Sequence, residues 1–480
     1  MTAQTYNFLP ALPEMFMLGM ICLILVIDLF LSERSRVVTY LLSQATLVGT
    51  FALTLSLYGT QPEQTFNGMF INDLMGLLLK LATLIATFMV LAYSRSYLRE
   101  HQMFSGEFFV LGLAAVLGMM VMISAHHFVP LYLGLELLSL SLYAMVAMQR
   151  DSVAASEAAM KYFVLGAMAS AMLLYGMSMI YGATASLNLG DINIAVQSGR
   201  PDDLVLVFGL VFVMVGVAFK LGAVPFHMWV PDVYHGAPTA VTLFVSSAPK
   251  IAAFAMLMRL LVDGLSGIYA QWHDILVVLA FLSMAIGNIV AIAQSNIKRM
   301  LAYSGISHMG FLMLGVIAGN SGGYASAMYY ALVYVLMGLG GFGMVILLSR
   351  AGFEAERLDD FKGLNERSPW YAALMLFFMF SMAGVPPFLG FWAKLGVIQS
   401  LVATGHMPLA VAAVLFSVIG AFYYLRIVKL IYFDKPQTGE PIRASGELRL
   451  VLGVNGMAVL LLGIFPETVI ALCKAAMGAV

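Results

Sequence analysis

Apolar segments about as long as a membrane is thick recur along the whole chain. Each runs for roughly 20 residues, which is enough for a helix to cross a hydrocarbon core of about 30 Å. With 61% hydrophobic and 10% charged residues, the composition lies far from that of soluble domains, where about a quarter of the residues are charged. The alternating pattern of barrel strands is missing. The sequence therefore predicts an all-α polytopic integral membrane protein.

We expect about fourteen transmembrane helices in a single membrane domain over residues 1–480, because no Gly/Ser linker or charge block divides the chain. No basic region precedes the first apolar run, so we expect the first helix to be retained and not cleaved as a signal peptide. The predicted spans lie near 11–31, 38–58, 71–93, 108–125, 128–148, 158–182, 204–229, 238–262, 275–294, 300–318, 325–349, 371–400, 407–432 and 450–474.

Basic residues in the predicted connections fall almost entirely on one side of the membrane. The other side carries only Arg200, Arg259 and Lys474. By the positive-inside rule the richer side is cytoplasmic, and an even number of spans then puts both termini on the outer face. The basic residues of the predicted cytoplasmic side are Arg34, Arg36, Arg95, Arg99, Arg150, Lys298, Arg299, Arg350, Arg357, Lys362, Arg367, Lys435, Arg443 and Arg449.

Motifs for metal or nucleotide binding are weak in this chain. Cys22 and Cys473 form no CxxC spacing, so we expect no iron–sulfur cluster and no structural zinc. The neighbouring His126 and His127 fit interfacial positions better than a metal site. The GLGGFG run at 338–343 matches GxGxxG but lies inside an apolar span with no preceding strand, which favours close helix packing over dinucleotide binding.

Ionisable residues inside the predicted spans are the strongest functional signal. A cation at bilayer depth costs at least roughly 2.5–3.5 kcal/mol, so such residues usually mark an ion or proton route. Glu136 is the only carboxylate near the middle of a predicted span. Lys80 has no obvious partner, and we expect it to snorkel to the interface or to contact a neighbouring helix. The lysines at membrane depth are Lys80, Lys161, Lys220, Lys250 and Lys394.

Two predicted spans are interrupted next to a lysine. Span 7 carries Gly222 and Pro225 close to Lys220, and span 12 carries the run GVPPFLG close to Lys394. Broken helices at corresponding positions of two halves are typical of inverted-repeat transporters and their binding sites. Spans 4–8 and 9–13 would then be the two inverted repeats. The alternative is a pair of packing kinks in a helix bundle.

Several long motifs resemble one family. LYLGLELLSLSLYAMVA, EAAMKYFVLGAMASA, FKLGAVPFHMWVPDVYHGAPTAVTLF, SSAPKIAAFAMLMRL, QSNIKRMLAYSGISHMGFLML and SMAGVPPFLGFWAKLGV are similar to the antiporter-like subunits of respiratory complex I. The PDVYHGAP run resembles the N-type branch of this family more than its L and M paralogues or the Mrp antiporter subunits, and a lysine at 394 also disfavours the M type. The resemblance covers residues 105–435, which would be the proton-translocating core, with 1–104 and 436–480 as peripheral helices.

The resemblance implies a role for each buried charge. Glu136 and Lys220 would form a buried pair, Lys250 would be the central relay, and Lys394 would be the outward gate. A carboxylate near a buried lysine favours its protonated form, so movement of Glu136 relative to Lys220 would switch proton affinity. A static salt bridge that holds two helices together is the alternative.

Three further residues each have two possible roles. Lys161 would tune Lys220, as the family suggests, or would snorkel to the cytoplasmic interface. His227 and His308 would join waters into a proton wire, since histidine titrates near neutral pH, or would be satisfied packing residues.

Together these features predict a proton-translocating membrane-arm subunit of NADH:quinone oxidoreductase, an enzyme subunit with no cofactor or redox centre of its own. Flavin, iron–sulfur clusters and quinone would belong to partner subunits, and the partners would be other membrane-arm subunits. The expected location is a bacterial inner membrane. The alternatives are an Mrp-type cation/proton antiporter subunit, a related complex with a different electron donor, and a purely structural subunit.

Overall fold

The computed structural model describes residues 7–33, 35–199, 203–350, 352–436, 442 and 444–478. Arg34, Arg200 and Arg443, used above to assign the two sides, lie outside these residues. In the described part of the chain, 13 helices are long and apolar enough to cross a membrane. The predicted all-α membrane fold is confirmed.

Three peripheral spans open the chain. These three spans carry none of the repeat features. A small hairpin that the sequence analysis did not predict lies between the second and the third span. Asp73 caps the third helix, accepting a hydrogen bond of 2.8 Å from the backbone N–H of Gly76, as acidic N-cap residues do. These elements are α1 (Leu12–Asp28), α2 (Val37–Ser56), β1 (Glu63–Thr65), β2 (Phe70–Asn72) and α3 (Leu74–Glu100).

The first predicted repeat begins with two tightly packed helices. A side-chain methyl at Gly118 would come within 2.7 Å of the carbonyl oxygen of Gly134, so the two backbones touch directly, as small residues permit in membrane helices. A short helix, α7, was not predicted. The elements are α4 (Gly106–Ile123), α5 (Phe128–Val146), α6 (Val153–Thr184) and α7 (Leu189–Ser198).

Spans 7 and 8 are both broken. Span 7 consists of α8 (Leu204–Leu221) and α9 (Trp229–Gly236), which confirms the predicted interruption. The predicted span 8, 238–262, is confirmed as the membrane-length helical segment Thr239–Gly264, but it contains a break that the sequence analysis did not predict. It consists of α10 (Thr239–Val245) and α11 (Ala248–Met258), which continues into a π-helical turn at Arg259–Gly264.

Proline explains the unpredicted break in span 8. Ser247 leaves the helical region with φ −112° and ψ −100°, and Pro249 follows in the first turn of α11. Proline has no N–H to continue the preceding helix but suits the first turn of a new one. Lys250 therefore lies in the first turn of a short helix and not in the middle of a long one.

The second predicted repeat, like the first, has three long helices, a short helix and a broken span, but it ends in the continuous α18 where the first ends in the broken span 8. Its broken span 12 is confirmed as two apolar helices, and counting that pair as one further span gives the predicted total of about fourteen. The elements are α12 (Tyr269–Ile292), α13 (Ile297–Ile317), α14 (Ser321–Leu348), α15 (Leu364–Arg367), α16 (Pro369–Ala383), α17 (Leu389–Ala403) and α18 (Met407–Phe433).

The final predicted span, 450–474, is not one helix. It is α19 (Gly446–Ile464) followed by the separate α20 (Glu467–Met477), and Pro466 lies at the junction. Proline cannot continue a helix through its own N–H, so the chain breaks there. Only α19 is long and apolar enough to be a span.

The most buried helices stand at the centre. Nearly all of α11 and α13, and most of α14, are enclosed by other helices. The GLGGFG run lies inside α14, where Gly340 faces Phe378 of α16 and Gly343 faces Tyr93 of α3. That placement suits close helix packing. The breaks in spans 7 and 12 both lie against this central group.

Candidate proton-transfer site

The first break exposes carbonyl groups at the end of α8. Gly222 takes the left-handed conformation, φ +75°, and ends the helix. Lys250 of α11 then donates from Nζ to the carbonyl oxygens of Leu221 at 2.9 Å and of Lys220 at 3.3 Å. The last carbonyls of a helix have no intrahelical partner and carry partial negative charge. A buried ammonium group on α11 therefore caps α8.

Lys220 points away from this cap, towards α5. Its Nζ donates to the hydroxyl of Ser139 at 2.6 Å, and Ser139 is fully buried. Glu136 lies one helical turn earlier on α5, half-buried, with Oε1 enclosed and without a hydrogen-bond partner among the described residues. The structure thus brings Lys220 next to the predicted carboxylate but hydrogen-bonds it to Ser139.

A small cavity connects the two lysines of the first break. Lys220, Lys250, Tyr162 and Trp229 are among its lining residues. The Nζ atom of Lys250 lies 5.3 Å from the centre of the Trp229 ring, a cation–π contact. The indole N–H of Trp229 donates to the carbonyl of Phe219 at 3.0 Å. Both cations therefore face one enclosed space beside the break.

At the second break, too, a buried lysine donates to the carbonyl end of a half-helix, but this lysine comes from the same span. Gly384 ends α16 with φ +87°. Lys394, on the second half of the same span, donates from Nζ to the carbonyl of Ala383 at 2.9 Å and to the hydroxyl of Ser417 at 3.0 Å. Its Nζ also lies 5.1 Å from the centre of the Phe311 ring on α13.

His308 lies one turn before Phe311 on α13, inside a cluster of hydroxyl groups. Its ring nitrogens lie 2.7 Å from the Tyr330 hydroxyl and 3.0 Å from the Tyr424 hydroxyl. The Tyr424 hydroxyl is in turn 2.5 Å from that of Ser304. These four side chains form a buried hydrogen-bonded chain across α13, α14 and α18, so His308 has polar partners on both sides.

His227 and Lys161 stand apart from the buried lysines. His227 lies in the segment between α8 and α9, half-buried, and Nδ1 is enclosed without a partner among the described residues. Lys161 forms ion pairs with Glu157 at 2.8 Å and Asp232 at 2.7 Å. Arg299 of α13 reaches the other oxygen of Asp232 at 2.8 Å, so Lys161 belongs to a charge cluster shared by α6, α9 and α13.

Lys80 has a partner that the sequence analysis missed. It is almost completely buried, and its Nζ lies 2.5 Å from a carboxylate oxygen of Glu14 on α1. The expected contact with a neighbouring helix is present, while snorkelling to the interface is wrong. Glu14 was overlooked because it lies in the first turn of α1, at the end of its span.

Other contributing residues also escaped notice. Ser139 and Ser417 each accept a hydrogen bond from one of the buried lysines, and serine in an apolar helix carries no distinctive sequence signal. The spacing of Ser139, three residues after Glu136 on the same helix face, is the one pattern that would have found it. Asp232 lies inside the PDVYHGAP motif but was not selected as a charge partner.

A helical membrane fold with buried lysines at the breaks of spans 7 and 12 is typical of an antiporter-like membrane subunit. The profile of the family described as "NADH:quinone oxidoreductase/Mrp antiporter, TM" matches residues 125–420. NADH-quinone oxidoreductase subunit N of Thiobacillus denitrificans is 62% identical over 478 residues, covering 100% of this chain and 99% of that protein.

Solved structures agree. A chain of respiratory complex I from Thermus thermophilus with bound aureothin is 29% identical with a TM-score of 0.83, covering 96% of this chain and 99% of that one. A chain of the Mrp complex from Dietzia sp. has a TM-score of 0.86 at 20% identity, covering 98% and 97%, and shows a shared fold. The chain belongs to the subunit N family of NADH-quinone oxidoreductase. It is a membrane subunit of that proton-translocating enzyme complex and works together with other complex I subunits.

Proposed function

We propose that this subunit moves protons through the lysines at its two helix breaks, with Glu136, Lys220, Lys250 and Lys394 as the relay. The observation that supports this most is that, at the breaks of spans 7 and 12, a buried lysine Nζ donates to the carbonyl end of the first half-helix. Loss of a proton from such an ammonium group removes the charge that offsets the partial negative charge of the half-helix end, and so favours rearrangement or rehydration of that end. Proton release is thereby tied to the geometry of the break.

The step at the first break begins at α5. Lys220 now donates to Ser139, and the unpaired Oε1 of Glu136 lies one helical turn away. A shift of Glu136 towards Lys220 would stabilise the charged lysine, and a shift away would favour release of the proton towards Lys250 through their common cavity. Moving one charge against 100 mV requires about 2.3 kcal/mol, which a change in one buried ion pair can supply.

Passage to the second break would use the chain of hydroxyls around His308. Its partners are Tyr330 and Tyr424, and His308 lies one turn from Phe311, against which Lys394 packs. His227, with a free buried ring nitrogen, would extend the water contacts of the first break. Lys161, held by Asp232, would set the field at the predicted cytoplasmic side.

The orientation and location complete the proposal. The distribution of basic residues favours a bacterial inner membrane protein with both termini on the outer side. Residues 105–435 would form the translocating core, and electron transfer in partner subunits, which carry the flavin, iron–sulfur clusters and quinone, would supply the signal that moves Glu136. Lys394 would release the proton outwards.

The test measures proton pumping and NADH oxidation together in membrane vesicles that contain the assembled complex. Lys220→Ala and Glu136→Ala should each lower the number of protons moved per NADH and, if coupling is tight, the rate of oxidation. Lys429→Ala, at a lysine whose side chain is 68% exposed, is the matched control and should pump normally. A full proton-to-electron ratio in both relay variants would refute the proposal.

A purely structural role for the buried charges makes the opposite prediction. Replacing both members together, Lys220→Met with Glu136→Leu, should then leave pumping intact, because apolar residues often substitute for a buried ion pair without loss of stability. An antiporter function, suggested by the fold shared with the Mrp chain, would show itself as sodium-dependent proton exchange without NADH.

A further inference from the structure

A basic cavity lies among the first three spans, outside the proposed relay. It has a volume of about 630 Å³ and lies at the predicted cytoplasmic side, where α1 and α3 end and α2 begins. Two arginines and one glutamate among its lining residues give it a net positive charge. The lining residues are Glu33, Arg36, Val37, Arg99, Gln102 and Phe104.

Both arginines can offer hydrogen bonds to an anion. Arg36 precedes α2, is half-buried, and has its Nε enclosed without a partner among the described residues. Arg99 lies in the last turn of α3, and its Cζ lies 5.0 Å from the centre of the Phe104 ring. In the described part of the chain neither guanidinium group is paired with a carboxylate. Because a guanidinium group has five N–H donors in a fork that fits phosphate, the two side chains favour a phosphate ligand.

The start of α2 adds to this positive potential. The first N–H groups of a helix have no intrahelical partner and carry partial positive charge, and Arg36 provides no capping hydrogen bond to them. Val37, the first residue of α2, lines the cavity. Phosphate groups often bind at helix N-termini, so the helix end and the two arginines favour the same kind of ligand.

The apolar surface beside the cavity indicates that the phosphate belongs to a lipid. Leu29 and Phe30, directly after α1, are 78% and 85% exposed. Leu41 and Val48 are also exposed, and they follow Val37 by one and three helical turns, on the same face of α2. A phosphate group in the cavity would therefore lie at the end of an apolar surface that can take acyl chains.

We infer that this cavity binds the phosphate group of an anionic phospholipid from the leaflet on the predicted cytoplasmic side. Arg36 and Arg99 hold the phosphate, and an acyl chain lies along α2. Basic pockets between transmembrane helices on the cytoplasmic side are typical sites for anionic lipid head groups. The bound lipid joins the connection between α1 and α2 to the end of α3. Such binding does not depend on the proposed proton relay.

Binding is measured by native mass spectrometry of the purified full chain in mild detergent, titrated with phosphatidylglycerol or with phosphatidylcholine. The unmodified chain should bind phosphatidylglycerol more tightly, because the choline group carries a positive charge. Arg36→Gln and Arg99→Gln should each weaken phosphatidylglycerol binding by about fivefold, which corresponds to about 1 kcal/mol per basic residue. Lys429→Gln, which removes a charge from a side chain that is 68% exposed, is the matched control and should bind like the unmodified chain.

Glu33→Gln separates loss of the site from damage to the fold. Removal of the negative charge that lines the cavity should strengthen phosphatidylglycerol binding, which a damaged fold would not do. Equal weakening by Lys429→Gln would reveal a general attraction to surface charge and would overturn the inference, and so would equal binding of the two lipids. Displacement of phosphatidylglycerol by millimolar inorganic phosphate would assign the cavity to free phosphate and refute the lipid.

Discussion

The two helix breaks cap the same kind of carbonyl end with lysines from different places. At the first break the cap comes from another span: Lys250 of α11 reaches two carbonyls of α8. At the second break Lys394 comes from the same span and reaches one carbonyl together with the hydroxyl of Ser417. The first break therefore depends on how two spans are placed, and the second is largely self-contained.

Because of this difference, one of the two lysines at the first break is not needed to cap the helix end. Because Lys250 serves as the cap, Lys220 can point towards Ser139 and the region of Glu136. The second break has a single lysine, which in the proposed relay would serve both as cap and as proton carrier. A two-lysine break can exchange a proton at one lysine while the other keeps its positive charge at the helix end. At the one-lysine break, deprotonation leaves a neutral amine that can still donate hydrogen bonds but no longer offsets the partial negative charge of the helix end. We therefore expect the second break to be the one that opens.

The largest expected effect comes from removing the caps. Lys250→Met and Lys394→Met should each abolish most proton pumping, yet change the free energy of unfolding little. The loss of a hydrogen bond to buried carbonyls, about 1–3 kcal/mol, is offset by no longer burying a cation, roughly 2.5–3.5 kcal/mol. Lys250→Met should be the less stable of the two, because it leaves two carbonyls without a donor.

Pumping is followed by a pH-sensitive dye in vesicles, and stability by thermal unfolding of the purified chain. Lys429→Met, at an exposed lysine, controls for the loss of a charge. If both variants lost much of their stability while the complex that still assembles pumped normally, the two lysines would have a structural role only. The proposed difference in function between the two breaks would then be wrong.

A smaller effect should come from the two serines that accept hydrogen bonds from the relay lysines. Ser139 is fully buried and lies 2.6 Å from Lys220, whereas Ser417 is half-buried and lies 3.0 Å from Lys394. A hydrogen bond to a charged group contributes about 1.5–3 kcal/mol, so Ser139→Ala should slow pumping more than Ser417→Ala. Ser139→Thr keeps the hydroxyl and should restore most of the rate. Equal effects of the two alanine variants would contradict the asymmetry.

The smallest effect concerns Glu356, in the loop between α14 and α15 at the predicted cytoplasmic side. Glu356 pairs with Lys298 of α13 at 2.9 Å and with His235 of α9 at 3.4 Å. Burial alone would raise the pKa of Glu356, but the hydrogen bond from His235 and the charge of Lys298 outweigh it and lower the pKa to about 2. The contact with His235 therefore connects this loop of the second predicted repeat to α9 of the first.

Since this folded-state pKa is depressed from 4.5, the carboxylate stabilises the fold at neutral pH, and this contribution is lost as the pH falls from about 4.5 towards 2. Glu356→Gln should lower the melting temperature at pH 7, and its difference from the unmodified chain should shrink below about pH 4.5. Glu366→Gln, at an acidic residue for which no ion pair is described, is the control. If the difference in melting temperature between Glu356→Gln and the unmodified chain stayed constant with pH, the charge of Glu356 would not be what stabilises the fold.

The sequence by itself determined the membrane fold, the proline–glycine breaks of spans 7 and 12 and the four buried lysines Lys80, Lys220, Lys250 and Lys394. These features follow from local rules. A long apolar run predicts a membrane span, proline and glycine end a helix, and a charged residue inside an apolar run can be read directly from the sequence. The third break, at Ser246–Ser247, escaped because a single Pro249 is compatible with a continuous helix that merely bends.

Only the tertiary structure decided which groups the charges meet. Lys80 with Glu14, Lys161 with Asp232, Lys220 with Ser139 and His273 with His406 are pairs separated by 66 to 133 positions along the chain. No local pattern encodes such contacts, because they depend on how the helices pack and which way each side chain faces. The same packing places Lys250 under the end of α8, and that contact makes a buried lysine part of a helix break.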